Sequence, residues 1–171
     1  AYTTELTINQ YVGQHYKLVN DQTNGQPVVF DHDDGNDQTF EVHLTHTYQD
    51  VSQEHQVHQT IHYQYADGKK AQPDYTAKVL AFSRTGIQDL VTENIQWNAW
   101  TPDQTFAAVN TLAINGYTPD VQMAAPVKVS HDSKDIEQTV VYHADDQTIL
   151  VNYIDDDTQS ILKTDSIIGK T

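Results

Sequence analysis

Hydrophobic and polar residues alternate along much of the chain, which is the pattern of β-strands buried on one face. A short example is Phe40, Val42 and Leu44, which are separated by polar residues. The same period returns over residues 52–65, where one face carries Val57, Ile61, Tyr63 and Tyr65 and the other carries His58, Thr60, His62 and Gln64. Asp67 and Gly68 then form a strong turn signal, and a return strand is expected over 75–82. This stretch therefore predicts a β-hairpin.

One later stretch favours a short helix. Thr101 is a suitable N-cap residue, Pro102 suits the first helical position, and an apolar run over 106–109 follows. The helix is expected to end before Asn115 and Gly116, because glycine is a poor helix residue.

The rest of the chain is dominated by strand-like runs. Short β-branched and aromatic runs lie at 28–30, 138–143 and 149–154, and Ile95 alternates with Trp97. Residues 3–10 form a polar lead in which Leu6 and Ile8 alternate. The order of hairpin, short helix and further strands predicts a mainly β fold with a short helix (α+β), built from two small β-grasp (ubiquitin-like) modules.

Charge and cysteine content restrict the classes of partner and chemistry. The chain has 24 acidic and 9 basic residues, a formal net charge of −15. Nucleic acid and anionic membranes are therefore poor partners, because binding them depends on clustered Lys and Arg. No apolar run approaches the roughly 18 residues that a membrane span needs. The sequence has no cysteine, which excludes disulfides, a thiol nucleophile and cysteine-based zinc sites.

Motifs of the common catalytic centres are missing from the sequence. It contains no G-x-S-x-G, no H-E-x-x-H and no glycine-rich phosphate loop. Carboxylate pairs suited to glycoside hydrolysis are defined by their separation in space, and with 24 acidic residues chance pairs are certain. We therefore interpret the chain as a binding or structural protein and not as an enzyme.

A family resemblance is carried by three parts of the sequence. Residues 151–171 read V-N-Y-I-D-D-D-T-x-x-x-L-K-T-D-S-I-I-G-K-T, which resembles the opening of a mucus-binding (MucBP-type) domain from cell-surface adhesins of lactobacilli. Residues 1–4, Ile8, Tyr11 and residues 16–19 resemble the second half of the same domain type. The middle of the chain is similar to the companion module of the long mucus-binding repeats, at 60–63, 82–84, 95–97, Phe106 and 116–120.

The resemblance implies a division of the chain into three parts. Residues 1–50 correspond to the C-terminal part of a MucBP-type module, 51–146 to a complete companion β-grasp module, and 147–171 to the start of the next MucBP-type module. Similarity between 38–42 and 138–142, about 100 residues apart, agrees with this phasing. We therefore expect a fragment of a longer repetitive protein whose modules are arranged as an elongated rod.

The same resemblance implies a function. It predicts an extracellular adhesin repeat, anchored to the cell wall of a Gram-positive bacterium, that binds the glycans of mucin glycoproteins multivalently beside neighbouring repeats of the same chain. Its signal peptide and wall anchor are expected outside this fragment. Two alternatives stay open. In the first alternative, the chain binds host proteins such as immunoglobulins through β-sheet edges. In the second, it is a structural spacer of a surface stalk.

Aromatic residues next to amides are the candidates for sugar binding. Trp97 and Trp100 flank Asn98, and Tyr117 follows a glycine. Because aromatic faces can stack on sugar rings while amides bind hydroxyl groups, Trp100, Tyr117 and Asn98 are the predicted ligand-binding residues. The preferred alternative is structural: Trp97 is a core residue, as its alternation with Ile95 indicates, and Trp100 packs at the start of the predicted helix.

Two groups of residues raise the question of a metal site. Asp31, Asp33 and Asp34 lie in an acidic turn whose composition resembles a calcium loop but whose spacing does not fit an EF-hand. A solvated turn is the preferred interpretation and an irregular calcium site is the alternative, so no cofactor is required. His58 and His62 share a strand face but are separated by about 13 Å, too far for one metal ion. We therefore expect structural or exposed histidines.

Overall fold

The computed structural model describes residues 2–31, 33 and 35–170. It contains one helix in these ranges, α1 (Glu5–Val12), which is too short and too polar to cross a membrane. The strands before residue 100 are β1 (Tyr16–Asp21), β2 (Val42–His46), β3 (Tyr48–Val57), β4 (Gln59–Tyr65), β5 (Lys70–Thr76), β6 (Leu80–Asp89) and β7 (Ile95–Trp97). The later strands are β8 (Gln104–Phe106), β9 (Val109–Asn110), β10 (Tyr117–Pro119), β11 (Met123–Ala124), β12 (Val127–Val129), β13 (Ile136–Ala144), β14 (Asp146–Asp155) and β15 (Ser160–Lys170).

Contacts divide the chain into two compact units. The first comprises Ala1–Glu54 and Ser83–Thr101, and the second comprises His55–Phe82 and Pro102–Thr171. The module boundaries expected from the sequence, 1–50, 51–146 and 147–171, stay a prediction.

The second unit is organised by a four-stranded sheet in the order β10-β13-β4-β5. Its two central strands, β4 and β13, are parallel, with Gln59 opposite Ile136 and Tyr65 opposite Tyr142, and the outer strands are antiparallel to them. A hairpin whose first strand pairs in parallel with a late strand of the same unit is the β-grasp arrangement. The fold class predicted from the sequence, mainly β with a short helix, is therefore confirmed.

The core of the second unit lies on one face of this sheet. Its buried cluster consists of Ile61, Tyr63, Ala124, Val140 and Tyr142. The apolar face predicted from alternation is confirmed, since Val57 at the end of β3 and Ile61 and Tyr63 on β4 are buried, whereas His58 between the two strands is exposed. Burial of these β-branched and aromatic side chains supplies the main stabilising contribution, about 25 cal/mol for each Å² of apolar surface removed from water.

The predicted helix after Thr101 is wrong. Residues 104–106 form β8, which pairs with β12, and residues 109–110 form β9, which pairs with β11. Phe106 lies opposite Val127 and is buried, whereas Thr105 beside it is exposed, as expected for a strand. Helix propensity is a weak preference of a few tenths of a kcal/mol per residue, and burial of Phe106 in the strand conformation exceeds it.

The predicted return strand over 75–82 is also wrong. The turn at Gly68, which has φ of +85°, brings the chain back earlier, so that β5 begins at Lys70. Proline at position 73 is tolerated because β5 is an edge strand of the sheet. Residues 80–89 form β6, which belongs to a different sheet with β3 and β7.

The first unit contains α1, the antiparallel β1–β2 pair and residues of the β3-β6-β7 sheet. The polar lead noted over residues 3–10 lies largely in α1, which the sequence reading did not predict. Thr4 precedes the helix, where its carbonyl accepts a hydrogen bond from the Ile8 amide at 2.9 Å, and Glu5 suits the positive end of the helix dipole. The strand expected over 28–30 is reduced to an isolated bridge between Val28 and Tyr2.

The last two strands form a long antiparallel hairpin in the second unit. β14 pairs with β15 from Asp146 opposite Lys170 to Asp155 opposite Ser160. The two strands are joined by a turn at the acidic triplet 155–157, where Asp155 Oδ1 accepts hydrogen bonds from the amides of Asp157 at 3.0 Å and Thr158 at 3.3 Å. The closing strand expected over 138–143 is confirmed as β13.

Candidate ligand-binding site

The most distinctive side-chain cluster of the first unit is centred on Arg84, the single arginine of the chain. Its guanidinium carbon lies 4.3 Å from the centroid of the Trp97 ring and 4.8 Å from that of the Trp100 ring. Gln53 Oε1 accepts hydrogen bonds from Arg84 Nε at 2.9 Å and Nη2 at 2.7 Å. The cluster therefore combines a cation, an amide and two aromatic rings.

Strand pairing explains how residues so distant in sequence meet. Arg84 lies on β6 and Gln53 on β3, which are neighbours in the sheet, and β7 brings Trp97 opposite Gly86. Residues 84 and 86 lie on the same face of β6, since side chains alternate along a strand. A side chain at Gly86 would meet Trp97, because a Cβ atom there would lie 2.8 Å from Cε3 of that ring. The glycine thus leaves room for the indole beside the guanidinium.

The segment that carries Trp100 is attached to β6 by two hydrogen bonds. The Thr101 amide donates to the Ser83 carbonyl at 2.9 Å, and the Ser83 amide donates to Thr101 Oγ1 at 3.1 Å. Trp97 and Trp100 therefore approach Arg84 from two short segments that are both held by β6. All three side chains are half-buried.

The charge environment of Arg84 is unusual for this chain. Five lysines make ion pairs with aspartates: Lys69, Lys70, Lys128, Lys163 and Lys170. Arg84 makes no ion pair with a carboxylate in the part of the chain that the structure describes, although the sequence has 24 acidic residues. Its protein partners there are a neutral amide and two aromatic faces, which attract a cation electrostatically.

The three predicted ligand-binding residues are divided between the two units. Trp100 belongs to the arginine cluster. Asn98 Nδ2 donates to Thr85 Oγ1 at 3.0 Å, and because residue 85 follows Arg84 on β6, Asn98 lies on the opposite face of the sheet. Tyr117 belongs to the second unit, where its ring centroid lies 4.7 Å from that of Tyr65. The assignment of these residues to ligand binding stays a prediction.

Sequence reasoning missed Arg84 as a candidate. Its one visible signal is composition, since a single arginine in a strongly acidic chain is distinctive. The expected position of Trp100 at a helix start is wrong, because the segment after it is extended and leads into β8. The alternative interpretation placed Trp97 in a core. In the structure Trp97 is half-buried and its ring lies against the guanidinium of Arg84.

The acidic turn holds its carboxylates in local hydrogen bonds. Asp31 Oδ1 accepts from the Asp33 amide at 3.0 Å, and Asp33 accepts from the Gly35 amide at 2.9 Å and from Asn36 Nδ2 at 3.2 Å. The bonds from Gly35 and Asn36 lower the pKa of Asp33. Asp34 lies outside the described residues, so the calcium site at Asp31, Asp33 and Asp34 stays a prediction. Within the described ranges, no group of three or more His, Asp or Glu side chains is arranged to hold a metal ion.

Several histidines are paired individually with acids. The distances are 2.6 Å from His46 Nδ1 to Asp89 Oδ2, 2.9 Å from His62 Nδ1 to Asp74 Oδ2, and 3.1 Å from His58 Nδ1 to Asp135 Oδ1. For Asp89, desolvation acts to raise the pKa, but hydrogen bonds from His46 and from the amides of Val91 and Thr92 prevail and lower the pKa to about 2. These pairs agree with the structural role expected for the histidines.

The parallel pair β4–β13 with its flanking hairpin defines the class of the protein as a β-grasp module. The family model of the Muc B2-like domain matches residues 48–146, and that of a mucin binding domain matches residues 1–46. The chain belongs to the family of Muc B2-like domains.

Solved structures with a similar fold include repeats and domains of lactobacilli. The crystal structure of Mub-RV is 34% identical, covers 84% of this chain and 83% of that chain, and has a TM-score of 0.70. The type 2 repeat of the mucus binding protein MUB from Lactobacillus reuteri is 31% identical over 84% of this chain and 83% of that chain, with a TM-score of 0.57. A MucBP domain of a Lactobacillus acidophilus protein is 34% identical over 58% of this chain and 100% of that chain, with a TM-score of 0.52. A comparison with curated proteins gave no match.

Proposed function

We propose that the chain is an extracellular adhesin repeat that binds mucus through the glycans of mucin glycoproteins and catalyses no reaction. The observation that carries this proposal is the similarity to the Lactobacillus reuteri mucus-binding repeat, which extends over 84% of this chain. The fold supports the same function, because it provides small β modules with exposed side chains and no deep enclosed site is needed for a surface glycan.

The binding mechanism is multivalent. A single repeat binds weakly, and tandem copies in one chain raise the effective concentration of each site near the mucin, which itself carries many glycans. Avidity gained in this way exceeds the affinity of one repeat by a factor of about 10² to 10⁴ without any new contact. Neighbouring repeats of the same chain are therefore partners in function, and the protein belongs on the outer surface of the bacterium, attached to the cell wall.

A second candidate function is capture of a host protein such as an immunoglobulin. The observation that favours it is the β14–β15 hairpin, whose two strands pair only with each other in the part of the chain that the structure describes. Its outer edges therefore present backbone groups to which a strand of another protein can add. The hairpin also exposes large apolar residues, including Leu150, Leu162 and Ile168.

Binding to immobilised mucin tests these functions. The chain is measured before and after enzymatic removal of the glycans, in low and physiological salt, as a monomer and as a tetramer on streptavidin. Loss of binding after deglycosylation, with much tighter binding by the tetramer, supports the glycan-binding adhesin. Binding that persists on the deglycosylated protein favours recognition through strand edges. Absence of binding even by the tetramer identifies a spacer.

A further inference from the structure

Arg84 is a half-buried cation that has no carboxylate partner among the described residues. The formal net charge of −15 makes an unpaired cation unexpected, and five of the lysines do have aspartate partners. A cation that is partly removed from water is stabilised most strongly by an anion that accepts its hydrogen bonds. The site therefore lacks a negatively charged partner for Arg84, and an anionic ligand supplies one.

The hydrogen bonds of the guanidinium define where such a ligand binds. A guanidinium has five N–H donors, and Gln53 Oε1 accepts from Nε and Nη2 along one edge of the group. The edge formed by Nη1 and Nη2 keeps two parallel N–H donors that bond to no group in the described chain. This geometry matches two oxygens of one carboxylate or of one sulfate ester, which accept in a bidentate manner.

The two tryptophans hold that edge in a fixed orientation. Their rings lie 4.3 Å and 4.8 Å from the guanidinium carbon, and Gln53 restrains the group from the side. Preorganisation of this kind reduces the entropy lost when a ligand binds. The indole rings are themselves half-buried, so their exposed parts provide an apolar surface against which a sugar ring can lie.

We propose that Arg84, between Trp97 and Trp100, binds the oxyanion of an acidic sugar, either the carboxylate of a sialic acid or a sulfate ester. This inference rests on the proposed function, because it names the class of mucin glycan that the repeat recognises. The negative charge of the whole chain repels an acidic glycan, so the site discriminates in favour of ligands whose oxyanion reaches Arg84. Affinity for one site is weak, in agreement with multivalent binding.

Intrinsic fluorescence is a direct probe of this site, since Trp97 and Trp100 are the 2 tryptophans of the chain. The chain is titrated with sialyllactose, galactose 3-sulfate and neutral lactose. The variants are Arg84→Met, which keeps an unbranched chain between the rings, and Arg84→Lys, which keeps the charge without the fork. Lys17→Met is the matched control: Lys17 is an exposed cation on β1, in a different sheet of the same unit, and its loss changes the net charge equally.

We expect a saturable fluorescence change with at least one acidic sugar and none with lactose, and the sugar that responds identifies the oxyanion. Binding by Arg84→Met is expected to be weaker by about tenfold or more, that of Arg84→Lys by several-fold, and that of Lys17→Met to be close to the original. Equal affinities for Arg84→Met and Lys17→Met overturn the inference. If Arg84→Met does not fold, the test uses the affinity of Arg84→Lys and the NMR signals of the indole N–H groups in the unmodified chain. Absence of any shift of these signals with acidic sugars overturns the inference.

Mucin binding by the same variants separates this inference from the proposed function. Glycan-dependent mucin binding that is unchanged in Arg84→Met overturns the site and leaves the adhesin intact. Acidic sugar binding that requires Arg84, in a chain whose tetramer does not bind mucin, supports the site and overturns the adhesin. Loss of acidic sugar binding and of mucin binding in Arg84→Met supports the site and the adhesin function together.

Discussion

Gly86 lies directly opposite Trp97 across the β6–β7 pair, and the indole occupies the space that a side chain at position 86 would fill. A Cβ atom there would lie 2.8 Å from Cε3 of Trp97 and 2.9 Å from the carbonyl oxygen of Gln96. Neither contact can be relieved by moving the end of a flexible chain, because one partner is a ring and the other is backbone. Gly86 is therefore required by the position of the tryptophan.

Substitution of this glycine by Ala is predicted to displace Trp97. The cost is about 1–3 kcal/mol of unfolding free energy, as for overpacking in other buried sites. Urea unfolding measures the loss, and the tryptophan emission of the folded state reports the displaced ring. Gly169→Ala is the matched control, since a Cβ on that strand residue meets nothing within 4 Å. Equal stability of the two variants contradicts the prediction.

Tyr142 connects the buried sheet to the segment before β10. Its side chain is fully buried, its hydroxyl donates to the Leu112 carbonyl at 2.5 Å, and Gln72 Nε2 donates to the same hydroxyl at 2.6 Å. Tyr142→Phe keeps the ring and removes both bonds, so we expect a loss of about 1–3 kcal/mol. Tyr153→Phe changes an exposed tyrosine of β14 and is expected to have an effect within about 0.5 kcal/mol. Thermal unfolding of the two variants compares these effects, and a similar small loss for both shows that the Tyr142 hydroxyl contributes little.

Alternation predicted the sheet of the second unit well, because half-buried strands produce the pattern directly. The buried positions Val57, Ile61 and Tyr63 were all predicted on one face, and the turn at Gly68 was placed correctly. The bounds of the return strand were predicted incorrectly, because local residues do not show that β6 pairs in another sheet. The helix predicted after Thr101 failed for a similar reason: capping residues describe a local preference, whereas β8 is fixed by its partner β12.

The arginine cluster illustrates what local pattern cannot predict. Trp97 and Trp100 are close in sequence, but Gln53 lies 31 residues before Arg84 and is brought to it only by pairing of β3 with β6. No periodicity connects these positions. The proximity of the aromatic residues was therefore visible in the sequence, while the cation between them required the fold.

Gln59 is a polar residue in the interior of the second unit. It is 1% exposed, and neither Oε1 nor Nε2 has a hydrogen-bond partner among the described residues. An unsatisfied buried polar group costs about 1–3 kcal/mol. Methionine has a similar volume and an unbranched, flexible chain, so Gln59→Met is expected to raise the unfolding free energy by about 1–3 kcal/mol. Urea unfolding checks this, with Gln59→Ala as a control that creates a cavity and is expected to lose stability. A loss of stability in Gln59→Met as well contradicts the prediction.

The pair of His46 and Asp89 makes the stability of the first unit depend on pH. Asp89 Oδ2 lies 2.6 Å from His46 Nδ1, while Oδ1 accepts from the Val91 amide at 2.9 Å. Since these bonds favour the ionised acid and lower its pKa to about 2, from an ordinary value of 3.8, the folded state binds a proton less readily than the unfolded chain. The stabilisation is therefore complete above about pH 4 and is lost as the pH falls towards 2.

Asp89→Asn removes this dependence because the amide does not titrate. The variant is expected to unfold at a lower temperature than the original chain at pH 7, and the difference is expected to shrink as the pH is lowered from 4 to 2. Asp37→Asn removes an exposed acid from the same unit and is the matched control, with little change at pH 7. Calorimetric unfolding temperatures measured between pH 2 and pH 7 for the three proteins decide the question. A difference between Asp89→Asn and the original chain that is constant over this range shows that the Asp89 carboxylate is not the titrating group.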